Sequence, residues 1–184
     1  MSTAQTTTET TLPVGLWKTD PIHSSLEFSV KHMVVGTFRS RLPDFEATLT
    51  VNDDGSALLE GVGRVASVVA PDPDLTAHLQ SPDFFDAERH PEVRFRSTEI
   101  ARRGDAITVT GDLTLKGHTG RIELNGSFFG PVVGLGDAER IGTDLTGTFD
   151  RTQYGLNWNA PLPKGGFAVG DEVTISAHLE FVRA

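Results

Sequence analysis

The side chains best able to do chemistry here are six histidines and a scatter of acids, and their spacing builds no catalytic frame. His23, His32, His78, His90, His118 and His178 form no H-x-H or H-x-x-x-H pair, so no metal site is read from them. They read instead as hydrogen-bonding groups at strand ends, with His178 exposed on a polar parity. An enzyme could use a polar pair such as His23 and Asp20. Asp144 and Asp150 share the polar face of one strand, where paired acids are usually solvated. Asp150-Arg151 with Tyr154 has two readings: contacts to a polar head group, or an Arg–carboxylate bond that fixes the turn before Gly155. The motifs G-x-S-x-G, H-E-x-x-H, the P-loop and a helix-opening G-x-G-x-x-G are absent. No catalytic residue, cofactor or metal is therefore expected.

What remains is apolar chemistry. The chain holds 11 phenylalanines against one tyrosine, so its aromatic faces are nearly all free of a hydroxyl to satisfy. Its 184 residues suffice for one domain with a substantial core. A formal charge of −9 makes nucleic acid and anionic membrane surfaces poor partners on electrostatic grounds. With no cysteine, disulfides, thiolate zinc sites and a thiol nucleophile are excluded. Residues 1–11 are Ser/Thr/Gln-rich, without Lys, Arg or an apolar run, so no secretory signal is expected and the cytoplasm is the expected compartment. No stretch reaches a membrane-spanning length, so stable insertion is not expected.

The elements that must position these side chains are strands. From Ser24 to His32, Leu26, Phe28 and Val30 alternate with polar residues, the period of a half-buried strand. The same beat returns at Trp17–Asp20, Phe45–Val51, Val93–Phe95, Ile107–Leu115, Ile122–Phe128, Ile141–Phe149 and Val173–Phe181. Val34–Phe38 is expected to prolong the first clean strand past a bend near Gly36. Residues 1–13 read as a disordered tail and 14–184 as a single all-β domain, an antiparallel barrel of about eight strands. Leu58–Val69 reads as a strand of ambiguous facing, and the one helical insertion falls between Pro71 and Pro91, where a short helix capped by Asp74 would hold Leu75, His78 and Leu79. This insertion either plugs one barrel end or closes over an entrance with Leu79, Phe84 and Phe85. The inward parity carries Leu26, Phe28, Val30 and Phe45, then Phe95, Leu115, Phe128 and Phe149. Alternation alone favours a filled core; a lumen for one small ligand is the other outcome at this strand number.

Four blocks, in order, resemble the YceI-like family of lipid- or polyisoprenoid-binding proteins. They are Trp17-x-x-Asp20-Pro21-x-His23-Ser24 with Phe28-Ser29-Val30-Lys31-His32-Met33; His78-Leu79-x-Ser81-x-Asp83-Phe84-Phe85-Asp86 with His90-Pro91; Gly111-Asp112-Leu113-Thr114-Leu115-Lys116-Gly117-His118-Thr119; and Asp150-Arg151-x-x-Tyr154-Gly155-Leu156 with Val169-Gly170-Asp171. One departure is Leu75-Thr76-Ala77, where the family often has an Arg-Asp pair before x-His-Leu. The resemblance implies a lipocalin-like barrel with a long apolar cavity that holds an isoprenoid, isoprenoid quinone or fatty amphiphile. The ligand-binding residues it suggests are the inward set above with Leu79, Phe84, Phe85, Arg151 and Tyr154. Two alternatives stay open: an enzyme acting on a lipid in the same cavity, and a solid-core interaction domain. The oligomeric state, monomer or homodimer, is also open.

Overall fold

In the computed structural model, which describes residues 10–184, the alternating segments pair as one antiparallel sheet of ten strands. These are β1 (Gly15–Thr19), β2 (Ser25–His32), β3 (Gly36–Arg41), β4 (Phe45–Val51), β5 (Ala57–Arg64), β6 (Glu92–Arg103), β7 (Ala106–Leu115), β8 (His118–Val133), β9 (Glu139–Asp150) and β10 (Val169–Arg183). Eight of them, β1 and β4 through β10, close a barrel, because β1 pairs with both β4 and β10. The expected eight-stranded antiparallel barrel with a short helix is the observed fold.

The remaining two strands make a hairpin on the same edge of β10. β1 pairs with Phe181–Arg183 at one end of that edge, and β2 pairs with Val169–His178 along the rest. β3 pairs only with β2 among the strands. Its outer edge meets the insertion instead: Val69 N–H donates to Arg41 O at 3.1 Å, and Ser40 Oγ donates to Val69 O at 2.7 Å. On its other side the insertion is tied to the foot of β6, where Val65 N–H donates to Pro91 O at 2.9 Å. Residues 65–91 thus fill the gap between β3 and β6.

Three local expectations change. Val34–Phe38 does not prolong β2: the chain reverses over Met33–Val35, and His32 faces Gly36 across the hairpin. Met33 and Val34 carry the reversal with left-handed φ of 48° and 67°. Helix α1 (Pro73–Gln80) is capped by Asp72 rather than Asp74, its carboxylate accepting Leu75 N–H at 3.0 Å, with Pro73 in the first turn. Residues 1–9 of the expected tail lie outside the described residues, whereas Thr10–Pro13 are held in place. Thr10 N–H donates to Arg102 O at 2.8 Å, and Trp17 Nε1 donates to Pro13 O at 3.0 Å.

The barrel interior is packed at the β1 end. Trp17, Phe128 and Phe181 are completely buried there, with Val109 and Leu145 beside them in the core. The Arg102 guanidinium lies 4.1 Å over the Phe128 ring, and that of Arg183 lies 4.6 Å over Trp17. Two strand glycines permit close approach: a Cβ at Gly126 would stand 1.7 Å from Asp144 O, and one at Gly147 would stand 2.4 Å from Glu123 O. Phe128→Ala should therefore lower unfolding free energy by about 3–5 kcal/mol, the range for removing a large buried ring. Denaturant unfolding measures it, and a loss below about 1 kcal/mol would contradict the packed end.

Candidate functional site

The opposite end of the barrel is hollow. The inward row of β2 (Leu26, Phe28 and Val30), Phe38 of β3, Phe149 of β9 and Ile175 of β10 face a cavity of about 610 Å³. Strand alternation puts them there; they remain only half-buried because they face space rather than packed atoms. The insertion supplies the facing wall with Leu75, His78, Leu79, Phe84 and Phe85, and Leu113 and Leu115 of β7 line it as well. Phe85 meets Phe28 edge-on at 5.7 Å between ring centroids, which joins the insertion to β2. Glu27, Lys31, His32 and Thr37 are exposed at the rim.

Two polar side chains stand in the wall, and both have protein partners. His78 packs edge-on against Trp158 at 4.8 Å and Phe84 at 5.0 Å, while its Nε2 lies 3.0 Å from Asp83 Oδ2. Arg151 is buried, and all five of its N–H groups are placed. Nε donates to Gly170 O at 2.7 Å; Nη1 donates to Leu156 O and to Trp158 O; Nη2 faces Val169 O at 3.3 Å and Asp171 Oδ1 at 3.4 Å. Burial pushes its pKa below the ordinary arginine value, and the Asp171 and Asp150 charges oppose that shift.

These contacts correct the reading of Arg151 as a head-group ligand. It is a clamp on the chain from Leu156 to Asp171. Asp150 does not pair with it; its carboxylate instead accepts the Thr152 N–H at 2.8 Å and caps the turn Arg151–Tyr154. The Thr152 hydroxyl, donating to the same oxygen at 2.6 Å, and the Thr152 N–H hold the Asp150 carboxyl below its ordinary pKa. Tyr154 does not line the cavity: it is buried behind Phe149, with ring centroids 5.2 Å apart. Phe128 belongs to the packed end. Phe45 and Phe95 line a separate apolar pocket of about 70 Å³, which shares Leu26, Val93, Leu113 and Ile175 with the main cavity. Phe95 is drawn there because its ring covers Gly111, where a Cβ would stand 2.6 Å from Cζ. Trp158 and Phe38 are lining residues that the sequence reading missed. Trp158 lies in a Pro/Gly loop without periodicity, and Phe38 reads correctly only once β3 is seen to be a separate strand.

A second polar group lies outside this cavity. Asp20, His23 and Glu180 bring one ligand atom each within 4.8 Å of one another. Arg140 already occupies the position between the carboxylates, bonding Asp20 Oδ2 at 2.9 Å and Glu180 Oε1 at 2.5 Å. His23 and Arg140 face a different depression, beside Asp144 and His178. The Asp20–His23 pair therefore does form, at 3.0 Å, but away from the apolar cavity in which an enzyme was weighed. The His23 and Arg140 hydrogen bonds, with the Ile22 N–H, hold the Asp20 carboxyl well below the usual carboxylate range.

Comparison with known proteins places this geometry in company. A family model described as the YceI-like domain matches residues 17–181. A UPF0312 protein of Staphylococcus epidermidis is 32% identical over 168 residues, covering 88% of this chain and 94% of the relative. A UPF0312 protein of Staphylococcus aureus is 30% identical with the same coverage. Among solved structures, BcnA of Burkholderia cenocepacia superposes with a TM-score of 0.74 at 23% identity, over 88% of this chain and 98% of that one. A polyisoprenoid binding domain from Saccharophagus degradans superposes with a TM-score of 0.66 at 13% identity, over 94% and 100%.

Two outcomes follow from the polar groups. Arg151→Gln leaves several buried carbonyls without donors and should lower stability by about 3 kcal/mol, with new proteolytic cleavage between Asn157 and Phe167. Unchanged denaturant unfolding and cleavage would refute the clamp. Asp20 has a depressed folded pKa, so its contribution is full above the ordinary carboxylate pKa of about 4 and is lost as pH falls below it. Thermal unfolding scanned from pH 6 to about pH 2 should therefore show a shallower acid decline in Asp20→Asn than in the native chain. Parallel declines would remove Asp20 from the account.

Proposed function

The chain belongs to the YceI-like family, and on that premise we propose that it binds an isoprenoid or other long-chain amphiphile in the apolar cavity and carries or sequesters it. One observation carries the proposal: a hollow of about 610 Å³ walled by phenylalanine and aliphatic side chains, with its charged groups at the rim or already bonded to protein. That volume lies inside the range of about 300–1,000 Å³ typical of small-molecule sites. The polyisoprenoid binding domain of Saccharophagus degradans shares the fold and supports the same ligand class.

The energetics favour a hydrocarbon guest. Each buried methylene contributes about 0.8 kcal/mol, so ten of them contribute about 8 kcal/mol, the scale of a micromolar complex. Ordering a flexible chain offsets part of this. Binding is favoured over catalysis because neither serine nor cysteine lines the cavity among the described residues, and the donors of Arg151 and the Nε2 of His78 are engaged. No helix among the described residues is long and apolar enough to cross a membrane.

Organic extraction of the purified protein followed by mass spectrometry is expected to release a stoichiometric apolar-tailed lipid. A protein that is empty after expression and takes up no added polyprenol or fatty acid would leave the interaction-domain reading. Phe28→Asp and Phe149→Asp put a charge into the cavity wall and should reduce loading at least about tenfold, with the far-UV spectrum preserved. Folded variants that load like the native chain would overturn the cavity assignment. Loading should also slow amide exchange in residues 74–86; unchanged exchange would make that segment a fixed wall instead of a lid.

A further inference from the structure

At the cavity rim, large apolar side chains point into solvent. The β2–β3 turn presents Met33, Val34 and Val35, the last two 71% and 90% exposed, and the facing loop presents Phe167 at 61%. The two pieces form one surface. Met33 N–H donates to Ala168 O at 2.7 Å, and Gly166 sits between Val34 and Leu162, whose nearest carbons would lie 3.9 and 4.0 Å from a Cβ placed there. Met33 and Ala168 also line the cavity, so the patch begins where the cavity ends.

The turn is poorly chosen for folding alone. Its left-handed positions suit Gly or Asn, yet they hold Met33 and the β-branched Val34. Strain of this kind is kept where the side chains have another task.

Charge says what the surface would meet. Two segments carry these exposed apolar residues, 28–43 and 151–170, and neither contains an Asp or Glu, although Glu27, Asp44, Asp150 and Asp171 flank them and the insertion opposite carries Asp72, Asp74 and Asp83. The two segments hold instead Lys31, Arg39, Arg41, Arg151 and Lys164, of which only Arg151 is buried. Glu27, an acid at the rim, stands opposite Arg41 in the β2–β3 register. Within a chain of net charge −9, the surface around the exposed turn and its facing loop is thus locally basic and apolar. A second apolar turn, Val132 to Leu135, lies beside the other end of β10 and is followed by Asp137 and Glu139. Its neighbouring cation, Arg140, is already bonded to Asp20 and Glu180.

We propose that the mouth docks peripherally on an anionic lipid bilayer, Val34, Val35 and Phe167 entering the interface while Lys31, Arg39 and Lys164 face the head groups. This deepens the lipid-carrier reading, on which it rests for its purpose, by naming the surface where a guest enters and leaves.

The test is co-sedimentation of the full chain with vesicles of phosphatidylcholine and phosphatidylglycerol in equal parts, against phosphatidylcholine alone. Binding is expected to the anionic vesicles, and to fall with added salt. The triple variant Val34→Gly, Val35→Ser, Phe167→Ser should bind them at least about tenfold more weakly. Its thermal stability should hold or rise, since Val34→Gly relieves the left-handed strain. Val133→Ser with Leu135→Ser should bind like the native chain. Uptake of a fluorescent fatty acid from vesicle-free solution separates the two readings. A chain that takes up the fatty acid but ignores vesicles overturns docking and leaves the carrier reading standing. One that binds vesicles but takes up nothing supports docking and overturns the carrier reading. A dimer that the triple variant turns into monomers, with no vesicle binding, assigns the face to a second copy and overturns docking.

Discussion

β10 offers one edge to two strands, and the rest of the architecture follows from how that edge is divided. Its last residues pair with β1, which also pairs with β4 and so closes the ring. Its longer first part pairs with β2, which leads only to β3 and stops. A ring closed at one end and interrupted at the other cannot pack uniformly. Where β1 closes it, Trp17, Phe128 and Phe181 fill the interior. Where the β2–β3 hairpin stands in, opposite strands do not meet, and residues 65–91 cover the gap from outside. The hollow is the geometric consequence of that substitution.

The hollow then depends on a second constraint. The chain from Leu156 to Asp171 runs beside the cavity without regular secondary structure over most of its length, so its carbonyls need donors from elsewhere. Arg151 supplies them with a rigid five-donor fork that a lysine lacks. Asn159 assists from inside the loop, exchanging hydrogen bonds with Val169 N–H and O at 2.9 and 2.7 Å. An apolar pocket is thus framed by polar groups spent on the backbone. That commits the donors of Arg151 to the backbone and ties its loop in place.

The alternating pattern made the strands, their inward parity and the barrel legible, because period-2 burial is a local property of sequence. Leu26, Phe28, Val30, Leu115 and Phe149 face the cavity as their parity requires. Parity says inward, however, and not inward to what. Phe128 has the same pattern as Phe149, yet one lies at the closed end and the other at the open end, a difference set by the pairing of β10 far away in sequence. Trp158 and the donors of Arg151 were illegible for a related reason, since loop conformation is fixed by tertiary contacts that carry no period. The β2–β3 reversal was hidden because Met33 and Val34 are not turn formers, so a local rule failed at the rim of the site.

Division of the barrel also bears on selectivity. Aliphatic and phenyl walls discriminate weakly between hydrocarbons of similar shape. Under the proposed function, discrimination would then come from tail length, limited by the packed end, and from the head group, which would meet the rim. Below Leu113 lies the pocket of about 70 Å³ beside Phe45 and Phe95, and Trp17, Phe128 and Phe181 fill the β1 end. At the rim Lys31, His32 and Thr37 are exposed, whereas the buried Arg151 is already engaged. On the proposed function, a protein built this way would read a lipid by how much tail fits beneath the rim and what charge is left above it.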